Sequence, residues 1–176
     1  MATDVDLRAA PLNLELIQAI LPGKLPVDGL LVGTVEVKGP LSSLDVKGDV
    51  KLARNGQNSG VKWRGTFDTR DWSARNLRAD LNKLDLSLLT ALRPDLQLRG
   101  QVTGHVEADG KAASSVRFAA DIHHYLAGLA SSFDGDGVWT ATGPNAGLDL
   151  RLNARQLSLA QLAEAYPALE RLQGEA

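Results

Sequence analysis

The chain has 176 residues, of which 44% are apolar and only 5% aromatic, with 19 basic and 21 acidic residues spread evenly for a formal net charge of −2. That length suits one ordinary domain with a core of Leu, Val and Ala, and the lack of any Lys/Arg run or basic stripe argues against nucleic acid or an anionic membrane as the main partner. No cysteine is present, which excludes disulfides, thiol catalysis and cysteine-ligated metal.

The opening stretch, MATDVDLRAA, is charged within its first six residues and has no apolar h-region, so it does not read as a signal peptide. No run approaches the roughly 20 apolar residues of a spanning helix. From Pro11 the pattern turns helical. Asn13 is a good N-cap, Leu14, Ile17 and Leu21 recur at helical spacing, and Pro22 stops the run. So short a helix is unstable alone and needs a surface to dock on.

Alternation then takes over. Strands are predicted over 27–38, 44–53, 61–67 and 76–81. A second helix begins after Asp85, carries Leu86 and Leu89 and ends before Pro94. Further strands follow over 96–108, 116–122, 133–141 and 148–154, with one more near 126–130. The turn signals GPLSS, RNGQNSG, ADGKAASS and TGPNAG separate them, which predicts an antiparallel meander. A third helix start is predicted at Ser158.

The order of these elements repeats. Leu12, Leu84 and Leu157 correspond, as do Leu14, Leu86 and Leu159, and Ile17, Leu89 and Leu162. Pro22, Pro94 and Pro167 follow at intervals of 72 and 73 residues. The reading is one array over 1–176, with repeat 1 at 11–82, repeat 2 at 83–155 and the start of repeat 3 at 156–176. An array that breaks off inside a repeat is expected to be a fragment of a longer chain whose neighbouring repeats continue the sheet.

Each strand has one apolar row. The predicted apolar lining comprises Val35, Val37, Leu44, Val46, Val50, Leu52, Val61, Trp63, Phe67, Leu77 and Leu81 from the first repeat. The second contributes Leu96, Leu98, Val102, Val106, Val116, Phe118, Ile122 and Trp139. Thr34, Glu36, Lys38, Asp45, Lys47, Asp49 and Lys51 belong to the opposite, wet face. A sandwich would cover such a face with a second sheet. Glycines in the apolar register (Gly33, Gly48, Gly65, Gly100, Gly104, Gly135 and Gly137) suggest instead a sheet bent around its own apolar side into a trough. A long apolar trough calls for an elongated apolar ligand.

The block DGLLVGTVEVKGPLSSLDVKGDVKL resembles the repeats of the AsmA/TamB superfamily, through a cadence of small and apolar residues from Gly29 to Gly48 and, more loosely, from Gly100 to Ala120. The resemblance implies a mainly β fold: a curved antiparallel β-groove, or β-taco, made of repeats of about 72 residues with one short helix each. It implies a parent protein of the Gram-negative envelope, anchored in the inner membrane and extending through the periplasm. Phospholipid acyl chains would occupy the groove on the way to the outer membrane, and an outer-membrane barrel would be a further partner. The family's membrane helix and outer-membrane end have no counterpart in these residues.

Other residues invite chemistry and do not sustain it. His123 and His124 are adjacent on a strand and point to opposite faces, and His105 belongs to another strand, so no metal is expected. Asp134 and Asp136 in FDGDG resemble the start of a calcium loop, but Asn145 stands where an EF-hand needs a carboxylate. The aromatics Trp63, Phe67, Phe118, Phe133 and Trp139 read as core or groove lining rather than a sugar platform. There is no G-x-S-x-G elbow. The expectation is a non-enzymatic chain without cofactor. The rival readings are a structural, adhesin-like β-stalk with a closed core and a glycan-active β-solenoid enzyme.

Overall fold

The computed structural model describes residues 2–18, 28–92, 98–141 and 146–155. Nine strands form one antiparallel sheet in chain order: β1 (Ala2–Asn13), β2 (Leu30–Pro40), β3 (Leu44–Arg54), β4 (Gln57–Asp68), β5 (Ser73–Asp85), β6 (Gln101–Lys111), β7 (Ser115–Leu126), β8 (Leu129–Thr140) and β9 (Gly147–Arg155). The sheet is open, with β1 and β9 at its edges. Helix α1 (Leu14–Gln18) links β1 to β2, and α2 (Ser87–Leu92) links β5 to β6.

Local chemistry explains the joints. Asn55 and Gly56, at φ 51° and 76°, make the two-residue turn between β3 and β4, as an Asn-Gly pair favours. At the opposite end the turns are tied together: the Thr69 N–H and hydroxyl both donate to the Leu41 carbonyl, Ala112 N–H donates to Trp72, and Ala141 N–H donates to Ser114. Both predicted helix caps form. Asn13 Oδ1 accepts from the Glu15 N–H at 2.9 Å, and Asp85 Oδ1 accepts from the Ser87 N–H at 2.9 Å. Ser158, the third predicted cap, lies outside the described residues.

The first strand departs from expectation. The opening residues form β1, where Val5, Leu7 and Ala9 pair with Val37, Val35 and Gly33. Alternation of those residues with Asp4, Asp6 and Arg8 was the available signal. The predicted 76–81 strand runs from Ser73 to Asp85 because β5 has two bulges, one at Asn76 and one at Lys83, with φ 50° and 48°. Each bulge inserts one residue and resets the parity, so Ala74, Leu77, Leu81 and Leu84 all stay on one face despite their irregular spacing. The segment expected near 126–130 is no separate strand: Leu126 ends β7 and Leu129 begins β8. Leu98 is not in a strand, since its N–H donates to Thr90 Oγ1 and its carbonyl accepts from the same hydroxyl. Gly100, at φ 95°, then turns the chain into β6.

Burial is thin, as a single layer requires. The only buried apolar residues among those described are Leu44, Leu52, Leu86 and Val102. Leu52 pairs with buried Ser59, and Val102 pairs with buried His124, which pairs with buried Ser131. These pairs cross the sheet at the end where the chain passes through α2. Their polar atoms are engaged: Ser59 Oγ accepts from the Asp85 N–H and donates to the Lys83 carbonyl, and His124 Nε2 lies 2.8 Å from the Arg99 carbonyl. No second layer covers the sheet among the described residues.

Two stability predictions follow from these contacts. Asp85→Ala removes the α2 cap and should cost about 1 kcal/mol, whereas Asp45→Ala, losing an exposed bond to Thr66, should stay within about 0.5 kcal/mol in thermal melts. Asp68 accepts from Arg70 N–H, Nε and an Nη, which lowers its carboxyl from 3.8 to about 2. The unfolded carboxyl takes up its proton first as pH falls, so this stabilisation is complete above about pH 4 and is lost as pH drops toward about 2. Asp68→Asn should therefore flatten that part of the acid-melting curve.

Candidate functional site

The register assembles the apolar residues into unbroken rows. One row crosses all nine strands: Leu7, Val35, Gly48, Trp63, Ala79, Val106, Ala120, Gly135 and Leu152. Beside it run Ala9, Gly33, Val50, Val61, Leu81, Gly104, Ile122, Phe133 and Ala154. A third row crosses Leu44, Phe67, Ala74, Gly110, Val116, Trp139 and Leu148. Val37 pairs with Val46, and Leu77 lies in line with Ala108 and Phe118. No side chain in these three rows is polar.

The predicted lining residues in strands therefore share one face, though not one environment. Leu44, Leu52 and Val102 are buried and act as packing. Val35, Val37, Val46, Val50, Val61, Trp63, Phe67, Leu77, Leu81, Val106, Val116, Phe118 and Ile122 are half-buried, and Trp139 is exposed. Leu98 stands before β6, and Leu96 lies outside the described residues. Sequence reasoning missed Val5 and Leu7 at one edge, with Leu148, Leu150 and Leu152 at the other. Leu7 and Leu152 are 61% and 57% exposed, so the apolar face reaches both edges of the sheet. Plain alternation marks all five.

Glycines keep this face even. A Cβ on Gly48 would overlap the Trp63 ring, and one on Gly137 would overlap the Phe118 ring. The Trp63 and Phe118 rings thus lie against glycines of a neighbouring strand.

The opposite face is ionic. One of its rows reads Asp6, Glu36, Lys47, Arg64, Arg78, Glu107, Ala119, Asp136 and Arg151. Lys47 and Lys38 approach Glu36 at 2.9 and 3.6 Å, and the bond from Lys47 is the chief reason the Glu36 carboxyl is held below its ordinary range. Lys62 meets Asp49 at 3.2 Å and Arg78 meets Glu107 at 3.2 Å. Hollows of about 690 and 570 Å³ open among these side chains. His105 faces this side, paired with Asp80 and Asp121, and His124 faces the other. Asp134 bonds Asn153 and pairs with Arg155. No group of three or more His, Cys, Asp or Glu among the described residues is arranged to hold a metal ion.

No known family model, curated protein or solved structure matches the chain. The reading of the site rests on its own geometry.

The ring-over-glycine packing is testable. Gly48→Val should destabilise by roughly 1–3 kcal/mol because Trp63 must leave its seat. Gly60→Ala, where a Cβ meets only ordinary contacts of 3.6 Å or more, should change the denaturant midpoint little.

Proposed function

We propose that the chain is a segment of a longer apolar β-groove that carries phospholipid acyl chains through the cell envelope of a Gram-negative bacterium. The observation that carries the reading is the uninterrupted apolar face, nine strands wide, with no covering layer among the described residues. A surface of that extent needs an apolar occupant. Each CH₂ it buries contributes roughly 0.8 kcal/mol. Diffuse apolar contacts of this kind hold a chain without locking it, which suits sliding. The mechanism is burial and release, without catalysis or cofactor.

Recurrence of local devices supports an array of about 72 residues per repeat. The bulge between Ala9 and Leu12 in β1 has a counterpart between Leu81 and Leu84 in β5. The cap at Asn13 has one at Asp85, and the Leu14 N–H to Gly29 carbonyl bond has one from Leu86 to Gly100, both at 2.9 Å. Repeats of this kind add strands to one sheet and lengthen the same apolar rows.

A structural stalk, its apolar face closed by packing against another element, is the reading that competes. Photo-crosslinking separates the two. Probes at Val35, Val46, Val61, Val106 and Val116 in the full-length parent, in cells, should capture phospholipid. Probes at Thr34, Lys47, Lys62, Thr103 and Arg117 should not. Val46→Glu should then block lipid transfer while the protein still folds, because an open face lets the carboxylate reach water. Absence of lipid adducts at every apolar position, with failure of Val46→Glu to fold, would establish the closed stalk instead.

A further inference from the structure

The ionic face carries a feature that its structural role does not require. Lys47, Arg64 and Arg78 stand directly opposite one another on β3, β4 and β5. Like charges in facing positions of an antiparallel sheet repel and destabilise it. The outer two are neutralised, Lys47 by Glu36 at 2.9 Å and Arg78 by Glu107 at 3.2 Å through Nε. The central Arg64 is exposed and forms no ion pair with any described residue. The order of charges along the row is therefore minus, plus, plus, plus, minus. Both hollows, of about 690 and 570 Å³, have Lys47, Arg64 and Arg78 in their walls, together with Glu36, and the larger also has Asp49, Asp80 and Glu107 and the smaller Asp45. A guanidinium offers parallel N–H donors that match an oxyanion in a bidentate geometry.

We propose that Arg64, flanked by Lys47 and Arg78, is a binding site for a phosphate group on the face of the sheet opposite the apolar rows. One bound phosphate would relieve the repulsion among the three cations and restore alternation of charge along the row. Its oxygens would accept from Arg64, from the Arg78 nitrogens that Glu107 leaves free, and from Lys47. The ligand source is a free phosphate ester or a phospholipid headgroup. Because the site lies on the other face, it does not depend on the acyl-chain reading.

The test follows the arginine Nε–H signals of the full chain by NMR at low salt. Inorganic phosphate and glycerophosphoethanolamine, a phosphodiester with the chemistry of a lipid headgroup, are titrated separately. Saturable shifts at Arg64 and Arg78 are expected with both probes. Tighter binding of glycerophosphoethanolamine identifies a headgroup as the source, and equal or weaker binding identifies a free phosphate. Arg64→Gln should weaken binding by at least about tenfold, while Lys51→Gln, on the same face but off the row, should not. The melting temperature of Arg64→Gln should equal or exceed that of the native chain, since a repulsive charge is removed. Unchanged affinity in Arg64→Gln, or no saturable shift at Arg64, would overturn the site. A marked loss of stability in Arg64→Gln would overturn it too, by giving the residue a structural role.

Discussion

Preservation of side-chain parity across nine strands is the constraint on which the rest of this structure depends. In an antiparallel sheet, facing residues lie on the same side, so one slip in register would carry a whole strand's apolar residues to the wet face. Here no slip occurs from Leu7 to Leu152. Where the spacing breaks, a bulge absorbs it. The extra residues at Asn76 and Lys83 bring Ala74, Leu77, Leu81 and Leu84 to one face, and the irregularity in β1 does the same for Ala9 and Leu12.

The second consequence is a division of labour within the sheet. Most of the buried residues lie at the end near α2, where Leu52, Leu86 and Val102 are buried and the polar groups of Ser59 and His124 are hydrogen-bonded, while Leu44 and Asp68 are buried at the other end. Elsewhere the apolar face stays half-exposed. A single layer cannot bury both of its faces, and its cohesion rests on backbone ladders and cross-strand pairs. The Trp63–Gly48 and Phe118–Gly137 pairs contribute apolar contact between neighbouring strands. Among the described residues, β1 and β9 form the edges of the sheet.

The two faces are matched to different chemistries. One has three rows without a polar side chain. The other has ion pairs spaced along the strands, with charge balanced at Glu36–Lys47, Asp49–Lys62 and Arg78–Glu107 and unbalanced at Arg64. Balanced exposed pairs add little to stability and mainly keep this face soluble. The uncompensated position stands out for that reason.

Alternation alone, a local property of adjacent residues, determined the strand class and which residues share each face of the sheet. Asn13 and Asp85 were likewise legible as caps, because capping involves only the next few residues. What alternation could not supply were long-range pairings. The full length of β5 depends on bulges whose parity is visible only against β4 and β6. Leu98 is apolar and flanked by strand-like sequence, yet Thr90 takes up its backbone groups. That Leu52 and Val102 are buried while Val35 and Val106 are only half-buried was decided by the tertiary structure and not by alternation, which all four share. The clustering of Lys47, Arg64 and Arg78 was decided by register, since residues 17 and 14 positions apart meet only when three strands pair.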